Sequence, residues 1–312
     1  VDCYISKILS FVVNLPMQLL VYILVYPILW IISIVPTRLL YVLSDIIFIL
    51  VYYIIGYRKR VVMDNLKLAF PKKTEGEIKS ICKKFYHHFC DIFLETIKSI
   101  SISEAELKKR FKPINIEEIN KIEALNKNIL VMMAHYASWE WIFVLERYTS
   151  HKGYAIYKRL QNKYFDALVK RIRAKYNTFL ITTKETIPVL TESNKKGELT
   201  LSGFIADQTP KIDKARHWNE FMGVKVPIHT GAEMLAKKLN LAVVFCKVKK
   251  VKRGYYEVTF KTITLTPEEF KNYEITDIFL KLVEEQIHEA PEFYLWTHKR
   301  WKHKDNVPPE FQ

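Results

Sequence analysis

Residues 128–142, Asn-Ile-Leu-Val-Met-Met-Ala-His-Tyr-Ala-Ser-Trp-Glu-Trp-Ile, decide how this chain is expected to fold. The run Ile129–Met133 is short and continuously apolar, which predicts a strand buried inside a covered sheet. His135 stands at the carboxyl end of that strand. Ser138 is a good helix N-cap, so we predict a turn from strand to helix with Glu140 in the first turn of the helix.

The spacing of His135 and Glu140 suggests a catalytic pair. On one continuous helix the two side chains would be separated by about 140° and would point apart. A turn between them allows the carboxylate to fold back onto the imidazole, and a histidine oriented by a carboxylate is a general base in a fixed tautomer. The structural alternative is a core or capping histidine beside an incidental glutamate.

The charge of the chain is distributed unevenly. Its formal charge is +15, but residues 1–57 carry two basic and two acidic residues, so the whole excess lies on residues 58–312. A neutral apolar part followed by a basic body indicates a protein held at an anionic membrane surface. Nucleic acid is the rival partner, but the chain has no RNP, zinc-finger or helix-turn-helix signature, and we predict no nucleic-acid binding.

Two apolar stretches form the N-terminal part. Residues 8–35 lack charged side chains and exceed the roughly 20 residues that span a bilayer. Residues 39–57 are a second span, or a helix that lies in the interface or packs on the body. Arg-Lys-Arg at 58–60 follows, which places the rest of the chain in the cytoplasm by the positive-inside rule. We therefore divide the chain into membrane-anchoring helices at 1–57 and a catalytic α/β domain with a C-terminal helix and a basic-aromatic tail at 58–312.

The cysteines and a histidine pair are predicted to be structural. None of the cysteines forms a CxxC motif, and Cys82 and Cys90 lie about 12 Å apart on one predicted helix, too far for a disulfide. We expect reduced thiols and a body that faces a reducing compartment. His87 and His88 have no acidic partner in register, so no metal site is predicted. The cysteines are Cys3, Cys82, Cys90 and Cys246.

Strands and helices alternate from about residue 125 to residue 265. This order predicts an α/β fold with a mixed, largely parallel sheet flanked by helices. Functional groups in such sheets gather beyond the carboxyl ends of the strands. His135, Lys158 and Asp207 each follow a predicted strand, which indicates a site at that edge of the sheet.

Motifs for several kinds of chemistry are missing from the sequence. There is no GxSxG elbow, no phosphate-binding GxxxxGK[ST] or GxGxxG loop, and no HExxH. What remains is a histidine with a carboxylate and no candidate protein nucleophile. That pattern suits a base that activates a hydroxyl group of the substrate itself.

The segment from His135 to Glu140 resembles the H-x4-D/E motif of the glycerolipid acyltransferase superfamily. More narrowly, it resembles the bacterial lipid A biosynthesis late (lauroyl/myristoyl) acyltransferases, whose usual form is H-[FY]-G-N-W-E. Ala137 and Ser138 replace the usual Gly-Asn, and Asn177 stands where glycine is usual. Further features fit the family in order: Arg60-Val-Val-x-x-Asn65-Leu, Ala69-Phe70-Pro71, Tyr157-Lys158, Asn162, Arg173, Asp207-Gln208, Gly223, and Trp296-x-His298-Lys-Arg300-Trp301-Lys302.

The resemblance implies acyl transfer from an acyl thioester, carried by acyl carrier protein, to a hydroxyl of a lipid acceptor. It points to a lipid A precursor, the bacterial inner membrane and a cytoplasmic catalytic domain, with no cofactor and no metal. His135 would remove the acceptor proton and Glu140 would hold its tautomer. Asp207 would position the acceptor or Arg173. The residues expected to bind substrate or the oxyanion are Arg173, Asp207, Lys158, Asn162 and Gln208.

Two alternatives stay open at this point. The acceptor is an aminolipid or a lysophospholipid instead, or the chain is a non-catalytic lipid-binding protein of the membrane surface. The intact pair of His135 and Glu140 favours an enzyme. The C-terminal cluster at 296–302 mixes tryptophans with cations. It could anchor the chain in the membrane interface or brace the core by stacking, and we predict a mixture of the two roles.

Overall fold

A seven-stranded sheet organises the chain in the computed structural model, which describes residues 2–311 and the side chains of residues 16–311. The strand order is β1-β9-β8-β2-β5-β3-β4, and every neighbouring pair is parallel except β8 and β9. This confirms the mixed, largely parallel sheet flanked by helices. The strands are β1 (Phe111–Pro113), β2 (Ile129–Met133), β3 (Lys152–Tyr157), β4 (Phe179–Thr182), β5 (Thr200–Ile205), β6 (Trp218–Phe221), β7 (Val224–Pro227), β8 (Ala242–Lys252) and β9 (Tyr255–Thr264).

Ten α-helices are present among the described residues. They begin with two apolar N-terminal helices and continue with helices that flank the sheet. Their bounds are α1 (Asp2–Ile34), α2 (Thr37–Ile49), α3 (Lys59–Ala69), α4 (Glu75–Lys98), α5 (Glu104–Arg110), α6 (Glu117–Ala124), α7 (Lys163–Ala174), α8 (Thr186–Lys195), α9 (Gly231–Leu239) and α10 (Glu274–Glu289).

The central strand has the predicted bounds. All five residues of β2 are buried, because β5 and β8 cover its edges and the core covers its faces. A strand buried on both faces has no polar side to show, which is why its sequence is continuously apolar. In the parallel register between β2 and β5, Met133 lies opposite Ile205.

Local signals for helix ends are also confirmed. At the start of α4, Thr74 Oγ1 accepts from the backbone N–H of Glu77 at 3.3 Å, and the Glu77 carboxylate accepts from the Thr74 N–H at 2.8 Å. This is the capping box that the sequence Thr74-Glu75-Gly76-Glu77 predicts. Asn240 ends α9 in the left-handed region, with φ of 49°.

The structure differs from the local predictions in four places. The segment after the motif is a ten-residue 3₁₀-helix, Trp139–Tyr148, rather than an α-helix, and Ser138 does not cap it. The Ser138 hydroxyl instead donates to the buried Glu95 carboxylate at 3.2 Å, a tertiary partner that local pattern does not reveal. The predicted loop 209–218 leads into the two-stranded ribbon β6–β7, and the three-residue β1 was not predicted.

The N-terminal helices pack along one side of the catalytic body. The segments Pro16–Ile34 and Thr37–Ile55 are long and apolar enough to cross a membrane, and most of their side chains are exposed. Polar contacts attach them to the body: Asn162 Nδ2 donates to the Gln18 carbonyl at 2.9 Å, and Lys98 Nζ donates to the Ser33 carbonyl at 2.6 Å.

Candidate active site

Strand register brings a histidine and an aspartate together at the edge of the sheet. Met133 and Ile205 are opposite each other at the carboxyl ends of β2 and β5. His135 and Asp207 each lie two residues further on, so both chains leave the sheet side by side. His135 Nδ1 and Asp207 Oδ1 are 2.7 Å apart. The pair therefore follows from the topology of the sheet.

The charges of this pair stabilise each other. The Asp207 side chain is 1% exposed and the His135 side chain is 20% exposed. Burial by itself lowers the pKa of His135, but the carboxylates of Asp207 and Glu140 outweigh burial, and the pKa is raised above its ordinary value. Burial favours a raised pKa for Asp207, yet the neighbouring His135 holds it below the ordinary value. Because a carboxylate only accepts, Nδ1 carries the hydrogen and Nε2 is left to act as the base.

The partner of His135 is the main correction to the sequence prediction. Glu140 was expected to hold the imidazole, but its carboxylate accepts from Arg173 Nη2 at 2.6 Å. Asp207 was expected to position Arg173 or the acceptor, and it contacts His135 instead. The reason is that Asp207 arrives on an adjacent strand, while Glu140 lies on a 3₁₀-helix that faces α7. The motif therefore supplies the histidine and the orienting group for Arg173.

The turn after β2 is tied to the C-terminal segment of the chain. The N–H of Leu295 donates to the His135 carbonyl at 3.0 Å, and the N–H of Ala137 donates to the Phe293 carbonyl at 2.9 Å. Ala137 is fully buried and has φ of 50°, a left-handed conformation that favours glycine. This is the position where the usual motif of the resembling family has glycine.

A buried network lies behind the same turn. The carboxylate of Glu95 accepts from Ser138 Oγ, from the Tyr41 hydroxyl at 2.8 Å and from the Tyr256 hydroxyl at 2.9 Å. Burial, and then the charge of Asp91, raise the pKa of Glu95 to about 7. The network joins α2, α4, β9 and the turn that carries His135, so it fixes the turn from the core side.

His135 opens into a large cleft, and a narrow apolar cavity, called the apolar branch below, adjoins this cleft. The cleft has a volume of 790 Å³ and is walled by polar groups of the site and by apolar side chains of α7, α8 and α9. The branch runs under the 3₁₀-helix on one face of the sheet, and its walls are almost entirely apolar. Cleft and branch share these wall residues: Trp139, Glu140, Phe143, Ile156, Arg173 and Ile205.

Most of the predicted site residues line this cleft. Lys158 is exposed at its mouth, and the Gln208 amide nitrogen lies 3.3 Å from His135 Nε2. Asn162 is not in the cleft wall. Its side chain caps α7 by accepting from the N–H groups of Tyr164 and Phe165, and it contacts α1. Asn162 therefore positions α7, which carries Arg173, and its role as a substrate ligand is not supported by its position.

Sequence reasoning missed two histidines near the site. His229 lines the cleft, and burial lowers its pKa. His298 Nε2 accepts from the N–H of Thr209 at 3.4 Å, and burial lowers its pKa to about 4, so it is neutral. His298 is part of the C-terminal motif that fits the family, but no site role is predicted for it from the sequence. His229 follows no motif, and no signal in the sequence singles it out.

The C-terminal cluster braces the core. Trp296 is fully buried and Trp301 is 3% exposed, and their rings stack with centroids 5.9 Å apart. Arg300 lies 1% exposed between them and the site, and Nη1 donates to Thr209 Oγ1 and to the Pro227 carbonyl, each at 3.2 Å. Buried tryptophans do not reach lipid headgroups, so the interface-anchor alternative is wrong for both rings.

The histidine pair on α4 and the described cysteines lie outside the site. His87 Nε2 contacts Asp45 at 2.9 Å, and His88 Nδ1 contacts Lys250 at 3.0 Å. Within residues 16–311, no group of three histidine, cysteine or acidic side chains is arranged to hold a metal ion. The three described cysteines, at 82, 90 and 246, are free and buried, and Cys3 lies outside the residues whose side chains are described.

Fold and site together define a class of enzyme. A histidine with a buried carboxylate on Nδ1 opens onto a cleft, and no hydroxyl or thiol nucleophile among the described residues hydrogen-bonds to the ring. Such a base activates a hydroxyl group of a substrate for direct transfer. The apolar branch beside the base suits a fatty acyl chain.

The chain belongs to the bacterial lipid A biosynthesis acyltransferase family, whose pattern it matches over residues 12–303, and it is an acyltransferase. It is 24% identical over 290 residues to the lipid A biosynthesis lauroyltransferase of Escherichia coli (strain K12), covering 91% of this chain and 92% of the relative. It is 22% identical over 247 residues to the lipid A biosynthesis palmitoleoyltransferase of the same strain, covering 78% and 79%. A lipid A biosynthesis acyltransferase of Shigella flexneri matches to the same extent.

Proposed function

We propose that this protein is a membrane-bound O-acyltransferase that moves a fatty acyl chain from acyl carrier protein to a hydroxyl group of a lipid A precursor. Family membership supports the reaction and the lipid. The observation that carries the mechanism is the orientation of His135, with Nδ1 on the Asp207 carboxylate and Nε2 toward a cleft of 790 Å³. No cofactor enters the scheme.

The reaction uses the lone pair on His135 Nε2, which accepts a hydrogen bond from the Gln208 amide at 3.3 Å until the acceptor hydroxyl takes its place. Nε2 accepts the proton of the acceptor hydroxyl as its oxygen attacks the thioester carbonyl carbon, and a carbon–oxygen bond forms. The buried Asp207 carboxylate stabilises the imidazolium that results. The tetrahedral intermediate then expels the thiolate, which takes the proton from the imidazolium. Acyl ester and free thiol are the products, and no covalent acyl-enzyme forms.

Arg173 is our candidate for stabilising the oxyanion. It lines the cleft beside the base, and the Glu140 carboxylate holds its guanidinium at 2.6 Å. An oriented donor in a site that excludes water is worth far more than one in bulk solvent, because it needs no reorganisation when charge develops. In this scheme Glu140 contributes by positioning Arg173 and by adding negative potential at His135.

The lipid acceptor reaches the cleft from the membrane side. Leu160 and Ile187 are exposed apolar side chains at the mouth of the cleft, and α7, which forms one wall, contacts α1. An apolar rim next to an apolar anchor helix allows a lipid to enter without crossing water. We place the protein at the bacterial inner membrane with the catalytic body in the cytoplasm, supported by the cations at 58–60.

An acidic carrier protein as the donor is supported by the exposed cations at the cleft mouth. Lys158 lines the cleft, and Arg159 and Lys184 are next in sequence to the lining residues Leu160 and Thr183. All three cations are exposed and form no ion pair within the described residues. Two basic side chains of α7 are engaged instead: Lys170 pairs with Asp166, and Arg171 donates to the Tyr26 hydroxyl. The docking surface that we propose is therefore the mouth.

Acyl transfer with defined substrates tests this function. Purified protein in detergent micelles would receive an acyl carrier protein thioester and one of three acceptors: a lipid A precursor, a lysophospholipid or an aminolipid. Mass spectrometry would measure the products. We expect acylation of the lipid A precursor and none with the His135→Ala variant. Acylation of the lysophospholipid or an aminolipid alone would replace the proposed acceptor with the alternative one.

A further inference from the structure

One acidic side chain lies in the wall of the apolar branch, away from the catalytic groups. Glu146 is on the 3₁₀-helix Trp139–Tyr148, and its side chain lines the branch among apolar neighbours. Among the described residues, no side chain or N–H group forms a hydrogen bond or ion pair with its carboxyl group. Burial raises the pKa of Glu146 to about 8, so the group is neutral at pH 7.

Gly153 on β3 makes room for this carboxyl group. A Cβ atom at position 153 would lie 1.8 Å from the carboxyl carbon of Glu146 and equally close to one of its oxygens. The carboxyl group thus occupies the space that any other residue at position 153 would fill. The φ of Gly153 does not require glycine, so the close approach of Glu146 accounts for it.

The sheet register gives the depth of Glu146 below the catalytic edge. Gly153 lies opposite Leu201 on β5, and Leu201 precedes Ile205 by four residues. Ile205 is at the edge from which His135 emerges. Four residues of a strand span about 13 Å. The carboxyl group therefore lies deep in the branch, at the distance that the far part of a fatty acyl chain reaches when its thioester carbonyl is at His135.

We propose that the Glu146 carboxyl group, seated on Gly153, closes the apolar branch and limits the length of the acyl chain that the enzyme accepts. This inference rests on the proposed function, because it takes the branch as the site of the donor chain. A neutral carboxyl group can lie against a terminal methyl group, whereas further methylene groups would have to displace it. The ligand class is thus an unbranched acyl chain of limited length, and Glu146 determines specificity without taking part in proton transfer.

Two opposite substitutions test the closure. Glu146→Ala removes the carboxyl group and lengthens the branch, so kcat/KM should rise about tenfold for donors two carbons longer than the preferred chain, relative to the preferred chain. Gly153→Ala pushes the flexible end of Glu146 into the branch, so preference should move to shorter chains. The measurement is kcat and KM for a series of acyl carrier protein thioesters with a lipid A precursor, with the expected changes mainly in KM.

Glu146→Gln is the matched control for size and charge. It should keep the wild-type chain-length preference. In the wild type, donor KM should rise above pH 8, where Glu146 ionises beside the apolar chain, and Glu146→Gln should not show this rise. An unchanged preference in both Glu146→Ala and Gly153→Ala would overturn the inference. If Glu146→Ala fails to fold, an identical dependence of donor KM on pH in the wild type and in Glu146→Gln would also overturn the inference. Failure of the wild-type enzyme to acylate any precursor would count against the proposed function instead.

Discussion

The imidazole of His135 contacts one carboxylate and lies in the field of a second, so the two carboxylates should be separable by mutation. Removal of the base in His135→Ala should lower kcat by about 10²–10⁴. Asp207→Asn should cost a similar factor, because an amide can hold the wrong tautomer. Glu140→Gln leaves the tautomer intact and acts through Arg173, so its loss should be about 10² at most. Steady-state acyl transfer measures all three.

The pH dependence of the same variants provides the control. The pKa of His135 is raised, so in the wild type kcat/KM should increase as pH rises through a value above the ordinary one for histidine, since only neutral His135 accepts a proton. Asp207→Asn should shift this limb to lower pH as well as lowering its plateau. If Glu140→Gln lowered kcat strongly and Asp207→Asn lowered it little, the result would support the pair that the sequence suggested, His135 with Glu140.

Ala137 is the residue at which the backbone is strained. Its φ of 50° puts a Cβ atom in the left-handed region, which costs about 1–2 kcal/mol for a residue other than glycine. Ala137→Gly should therefore stabilise the protein by about 1 kcal/mol, reduced by the greater freedom of glycine in the unfolded chain. Thermal unfolding in detergent measures this. A lower unfolding temperature would mean that the buried methyl group contributes more by packing than it costs in strain.

The sequence predicted His135 as the base but not its partner. The strand 129–133 and the histidine that follows it are local features, and both were predictable from apolar pattern alone. Asp207 is 72 residues away, and its contact with His135 depends on which strand lies beside β2. A clue was present, since each residue follows its strand by two positions. Strand order, however, is set by packing of the whole sheet.

At the scale of elements, the Glu95 network links the second apolar helix to the catalytic turn and should affect stability. The pKa of Glu95 in the folded protein is raised to about 7, so the folded state binds more protons than the unfolded state between about pH 4.5 and 7. Stability should therefore fall as pH rises through this window. Glu95→Gln, which cannot ionise, should lose less stability over the same range.

Unfolding temperatures from pH 5 to pH 8 would measure this difference. Glu185→Gln is a suitable control, because that carboxylate is exposed and its pKa is lowered by hydrogen bonds with Thr182. Parallel curves for the wild type and Glu95→Gln would mean that Glu95 does not titrate in this window.

The ends of helices could be predicted from the sequence where they depend on neighbouring residues in the chain. The capping box of α4 and the asparagine that ends α9 depend on neighbouring residues only. The 3₁₀-helix Trp139–Tyr148 was predicted as an α-helix, because its apolar spacing fits both and its N-terminal serine is bound by Glu95. The hairpin β6–β7 was missed because its turn contains Met222 at φ of 53°, where the sequence gives no asparagine or aspartate signal.

At the scale of the whole molecule, the excess positive charge should lower KM for an acidic donor by attracting it to the cleft mouth. Arg159→Glu with Lys184→Glu should raise KM for an acyl carrier protein thioester several-fold and leave KM for acyl coenzyme A little changed, because steering by exposed charge acts on the large acidic partner. Lys261→Glu, an exposed cation on β9, is the matched control. The assays belong in micelles without anionic lipid. If KM changed equally for both donors, or for neither, the proposal that the carrier protein docks at the cleft mouth would be wrong.

The attachment of α1 to the catalytic body has a geometric consequence. Contacts at Gln18 and Ser33 are separated by fifteen residues, or about 22 Å of helix, and α7 between them forms a wall of the cleft. With α1 embedded in the bilayer as proposed, His135 is held at a fixed depth relative to the lipid headgroups. Hydroxyl groups of an embedded glycolipid also lie at fixed depths. Among chemically similar hydroxyl groups, the enzyme would then acylate the one whose depth matches that of His135.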